Sequence, residues 1–168
     1  MLQKIYTMIY KYKASIPNSK VFMREYEISG ESTLYAVHNF LTNDLGFAPD
    51  QMVAFRGLDS NDKVLSEYGL FDMGDGSIDM VTLEKTLAKG EVSLLYVFDI
   101  HKDRVIKLTF LEEVQPSPRV SYPRLVAEKG RNPEQFAKGY DDLDQFPDPV
   151  DDGGDMEDSY EDDYTDEN

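Results

Sequence analysis

The stretch VSLLYVFDIHKDRVIKLTFL, residues 92–111, decides how this chain folds. Residues 92–98 are the most apolar run in the sequence, short and rich in β-formers, and read as a central strand. The polar hexamer 99–104 supplies turn chemistry, and 105–111 resumes as a second β-type run. Upstream, residues 4–13 alternate, with Tyr6, Met8, Tyr10 and Tyr12 on one face and Ile5, Thr7 and Ile9 on the other. Residues 21–28 gather Phe22, Arg24, Tyr26 and Ile28 on one face, and Pro17 with Asn18 marks the turn between these two strands.

A helix follows. Ser32 or Thr33 can cap it, Leu34, Val37, Leu41 and Leu45 recur at helical spacing, and Gly46 stands where a left-handed cap ends it. Residues 51–57 read as another strand. The interval 58–80 is rich in Asp, Gly and Ser and reads as long loops with one short element at most. Thr82 caps a short helix carrying Leu83 and Leu87 and stopped by Gly90. Pro116, Pro118, Pro123 and Pro133 interrupt 115–136, which is expected to lie irregularly over the body. The expectation is an α+β domain: a mostly antiparallel sheet of about five strands with two to three helices packed on it.

Charge divides the chain. Residues 141–168 hold 14 of the 33 acidic side chains and no Lys or Arg, so 1–140 carries 19 acidic against 17 basic residues, a net −2 beside the whole chain's −16. The body is a near-neutral single domain, 1–140, and the acidic 141–168 is expected to be a disordered tail. Cysteine is absent, which excludes disulfides, thiolate zinc sites and Cys nucleophiles. No apolar run approaches a membrane span, and the N-terminus lacks a signal-peptide pattern, so a cytoplasmic protein is expected.

Few residues suggest chemistry. Asp99, His101 and Asp103 alternate, so an extended strand would point them together at a divalent cation, whereas a turn would scatter them. His38 falls on the apolar side of the first helix, as a half-buried histidine with one partner would. Phosphate loops, a nucleophile elbow and EF-hand spacing are all absent. A basic interval, Arg119, Arg124, Lys129, Arg131 and Lys138, is interleaved with Tyr122 and Phe136 and offers phosphate contacts. A 28-residue coil reaches about 30 Å, enough for the acidic tail to fold back on that strip and compete with an anionic ligand.

Three segments, STLYAVHNFL…LGF (32–47), LLYVFDIHKDR (94–104) and YPRLVAEKGRNPEQF (122–136), together resemble the Ri-plasmid orf-three-like family, whose members are also labelled passenger TnpR proteins of insertion elements. Leu34, Val37 and His38 match its helix, Gly46 and Phe47 the turn after it, and Tyr96, Phe98 and Asp99 its hairpin. Tyr122, Pro123 and Arg124 match its last motif, with Gly130 and Pro133 beyond. This chain departs at His101, Lys102, Arg104 and Ile106, where the family has Gly, Asp, Trp and His. The resemblance implies the same fold. The recombinase chemistry of the label would need a nucleophilic Ser amid arginines and a DNA-reading helix-turn-helix, and neither pattern occurs.

The expectation is a non-enzymatic interaction module with a protein partner, no cofactor and no membrane span. Nucleic-acid association and metal-dependent hydrolysis are the alternatives. Asp99, Tyr122, Arg124, Arg119, Lys129 and Arg131 are the binding candidates, and Asp99, His101 and Asp103 the metal set. Arg124 is expected to pair with a buried carboxylate, Asp99, and so pin the Pro-rich segment to the sheet.

Overall fold

The computed structural model describes residues 7–135. Within them lie β1 (Ile9–Ser15), β2 (Met23–Ser29), α1 (Leu34–Leu45), β3 (Ala54–Leu58), β4 (Val64–Tyr68), α2 (Leu83–Ala88), β5 (Ser93–Asp99), β6 (Arg104–Val114) and β7 (Arg124–Lys129). The strands form one sheet in the order β4-β3-β5-β6-β1-β2-β7, every neighbouring pair antiparallel. The chain divides into units 1–135 and 136–168. Lys138, the expected boundary at 140 and the expected disorder of 141–168 lie outside the described residues. No helix among the described residues is long and apolar enough to cross a membrane.

The α+β class and the central hairpin agree with the sequence, but the sheet has seven strands rather than about five. The extra two are its edges. β4 lies inside the Asp/Gly/Ser-rich interval and β7 inside the Pro-rich one. Edge strands are short, bury little, and carry no continuous apolar run to announce them. Their pairing with β3 and β2 decides them.

Residues opposite one another in register share a face. Tyr68, Phe55, Tyr96 and Ile106 therefore form one row across four strands, and Leu94, Leu108, Ala14 and Arg24 form the next. Each of these residues is buried. α1 covers this face: Thr33 caps it by accepting from the Ala36 amide, Gly46 closes it at φ 74°, and Leu34, Val37, His38, Leu41, Thr42 and Leu45 are buried. Each fully buried Leu or Val there contributes about 1.5–3 kcal/mol. The opposite face is laced with ion pairs, Lys11 to Glu27 and Glu112, Arg56 to Glu67 and Asp103, and Lys107 to Asp62.

Two buried arginines hold the segment after β7 against the end of α1. Arg24 donates to the Lys129 carbonyl at 2.7 Å and to Asn132 Oδ1 at 2.7 Å, and its guanidinium lies over the Phe22 ring. Asn132 in turn donates to the Leu45 carbonyl at the helix terminus. Arg104 donates to the Glu134 and Gln135 carbonyls, while the Gln135 side chain accepts from the Ala48 amide and donates to its carbonyl. Arg124 instead pairs with Glu27 at 2.8 Å, and Asp99 pairs with Arg104 at 3.5 Å. The expected Arg124–Asp99 pair is therefore incorrect. β7 and β5 are separated by three strands, about 19 Å at sheet spacing. Arg124 does meet a carboxylate that is mostly buried, but the pinning falls to Arg24 and Arg104.

Truncating Arg24 removes its bonds to two carbonyls and an amide oxygen and leaves a cavity, so Arg24→Ala should lower stability by about 3 kcal/mol. Arg124→Ala removes a half-exposed pair and should cost about 1 kcal/mol. Urea unfolding of both variants checks the order, and an Arg124→Ala cost equal to that of Arg24→Ala would refute it.

Candidate functional site

The hairpin turn scatters the proposed metal set. Asp99 ends β5 against Arg104 and accepts from the Lys102 amide. His101 is exposed in the turn, and Asp103, at φ 54°, pairs with Arg56 at 2.9 Å. No group of three His, Asp or Glu side chains suited to a metal occurs among the described residues. Tyr122 uses its hydroxyl to accept from the Ser117 amide. Arg119, Lys129 and Arg131 are exposed, and Arg124 is engaged by Glu27.

His38 is 3 % exposed. Its Nδ1 lies 2.8 Å from the Tyr96 hydroxyl, and the Pro49 backbone is its second partner. Burial pushes its pKa down and raises that of Tyr96, so both groups are held neutral. The pair links α1 to the sheet.

A polar cluster that the sequence did not announce lies where β3, β4 and the end of α2 meet. Lys89 Nζ donates to Ser66 Oγ at 2.5 Å and to the Tyr68 hydroxyl at 2.9 Å. Tyr68 donates to Glu91 Oε1 at 2.7 Å, and Glu91 is fully buried. Its carboxylate fits because position 57 is glycine: a Cβ there would stand 2.2 Å from the Glu91 carboxyl carbon. Burial opposes the charge on Lys89, but the Tyr68 hydroxyl and Glu91 outweigh it and raise its pKa. The ammonium thus stays charged and donates to Ser66, which makes it no base and leaves Ser66 without activation. This cluster anchors the edge of the sheet, and a Ser–Lys hydrolase does not fit it.

The remaining distinctive surface is apolar. Phe71, Met80 and Met73 are 78 %, 67 % and 62 % exposed, and Val64, Leu65 and Leu70 beside them are exposed too. Six of the twelve large exposed apolar residues among the described residues thus fall within 64–80. Their backbone is fixed. Asp72 Oδ1 accepts from the Gly74 and Gly76 amides, and these bonds hold its pKa below the usual carboxylate range. Asp75 accepts from the Glu67 amide on the β4 edge, Ser77 donates to Asp79, and the Ile78 amide donates to the Gly69 carbonyl. The Leu34 and Tyr35 amides of α1 donate to the Val81 and Ile78 carbonyls, which ties the loop to the helix start. Gly74 and Gly76 take φ values of 121° and 109° that other residues adopt only with strain. A concavity of about 410 Å³ opens beside the end of α1 among Asn39, Thr42, Asn43, Gly46, Phe47 and Pro49, and none of these side chains titrates.

No family model and no curated protein matches the chain. Among solved structures, it is similar to a protein of unknown function from Methanosarcina mazei Go1, with a TM-score of 0.62 and 16 % identity. The match covers 75 % of this chain and 72 % of the other. At that identity the likeness shows the fold alone.

His38 gives a test by pH. Its folded-state pKa is depressed, so its stabilisation is present above the ordinary value of 6.5 and is lost as pH falls below it, where only the unfolded chain takes up the proton. The urea midpoint should decline over that interval, and His38→Gln should flatten the decline. An identical pH slope in the variant would contradict this.

Proposed function

We propose that this domain is a non-enzymatic interaction module whose contact surface is the apolar rim 64–80. The observation that supports this reading is Phe71, Met73 and Met80 standing in solvent on a backbone fixed by Asp72, Asp75 and Asp79. Exposing large apolar groups costs solubility, and a loop tied at both ends loses little entropy when a partner covers it. The catalytic alternatives have less behind them: the hairpin carboxylates point apart, and the buried cluster holds its lysine charged. Membership of the Ri-plasmid orf-three-like family belongs to the same proposal. It rests on the order of the three motifs, which meet in space through His38–Tyr96, Arg104–Gln135 and Asn132–Leu45.

Immobilised full-length chain should retain a partner from native lysate that Phe71→Asp loses, while Lys13→Asp, an exposed substitution in β1, keeps it. Both variants should unfold within about 0.5 kcal/mol of the parent. Retention unchanged by Phe71→Asp would place the contact surface elsewhere.

A further inference from the structure

Residues 58–80 contain six carboxylates, Asp59, Asp62, Glu67, Asp72, Asp75 and Asp79, against one basic residue, Lys63. Asp62 and Glu67 have cations opposite them, Lys107 and Arg56. Asp72, Asp75 and Asp79 each bond an amide or a hydroxyl through one oxygen; Lys89 acts on Asp75 electrostatically, and no ion pair is formed by Asp72 or Asp79 among the described residues. These three exposed acids are interleaved with Phe71, Met73 and Met80. The rim is thus an apolar surface with negative charge.

We infer that this rim binds a basic amphipathic helix, a segment with large apolar side chains at i, i+3, i+4 and i+7 flanked by Lys and Arg. The inference rests on the binding role proposed above and names the partner's chemistry. Charge complementarity selects the sign. Methionine thioethers adapt to the varied side chains such a helix presents. Strand addition is obstructed, because the outward Glu67 amide already donates to Asp75 and the Gly69 carbonyl already accepts from Ile78. A second copy of the domain would set acidic rim against acidic rim, and residues 141–168 carry the same sign.

The probe is a labelled synthetic peptide of about 18 residues, with Leu at the stated spacing and Lys elsewhere, titrated with the full-length chain and read by fluorescence anisotropy. A version with Glu for Lys, and one of the same composition with the Leu residues scattered round the helix, should each bind at least about tenfold more weakly. Phe71→Ser should weaken the Lys peptide by about tenfold or more. Asp72→Asn combined with Asp79→Asn, which keep the oxygens that accept from Gly74, Gly76 and Ser77, should weaken it a few-fold and flatten its salt dependence. Equal binding of the Lys and Glu peptides overturns the inference. If neither peptide binds while Phe71→Asp still abolishes partner retention, the partner chemistry is wrong and the rim reading stands. If the Lys peptide binds Phe71→Ser as tightly as the parent, the inference falls, and partner retention by Phe71→Asp alone decides the rim reading.

Discussion

A guanidinium buried on the helix-covered face of the sheet organises one half of this domain. Arg24 is 2 % exposed and has to satisfy its donors without water, since an unpartnered buried donor costs about 1–3 kcal/mol. It does so with backbone oxygens of Met23 and Lys129 and with Asn132. Those partners exist only if β7 pairs with β2 in the observed register and the chain beyond turns over the end of α1. Arg104 imposes the same condition from the other side through Glu134 and Gln135. Two arginines, 80 residues apart in sequence by their numbering, thus specify the path of one short segment.

The opposite edge is organised by carboxylates. Glu91 is buried against Gly57 and bonded to Tyr68, and Lys89 closes that cluster. Just outside, Asp72 and Asp75 fold the loop after β4 back on the strand. Apolar side chains are left outside because their backbone is fixed elsewhere. On the sheet's open face Lys11, Arg56 and Lys107 are matched to acids. Phe71, Met73 and Met80, the three large apolar side chains more than 60 % exposed at this edge, all follow β4.

Legibility in the sequence follows the range of the interactions. α1 is readable apart from the choice between Ser32 and Thr33 as cap, because its apolar stripe and its terminating Gly46 are local signals. The β5–β6 hairpin and Thr82-capped α2 were readable for the same reason. β4 and β7 were not, because edge strands owe their existence to neighbours distant in sequence. Alternation puts Arg24 on one face with Phe22, Tyr26 and Ile28, yet its burial and its partners 105 and 108 residues away are announced by no spacing. The Asp, Gly and Ser content of 58–80 marks it as mostly loop, while the Asx bonds that order it, and hence the exposure of Phe71 and Met73, depend on backbone geometry that composition does not specify. The Asp99–His101–Asp103 alternation gathers nothing, because a period-two pattern has meaning only where the backbone stays extended, and here it turns.

That the apolar rim is preformed is open to direct measurement by amide hydrogen exchange in the full-length chain. The amides of Glu67 and Ile78 donate to Asp75 and to Gly69, and those of Gly74 and Gly76 donate to Asp72. Glu67 and Ile78 should exchange far more slowly than an unstructured chain, and Gly74 and Gly76 measurably more slowly. Exchange at unstructured-chain rates across 67–78 would mean that the loop is not held, and that Phe71, Met73 and Met80 are not presented as a surface.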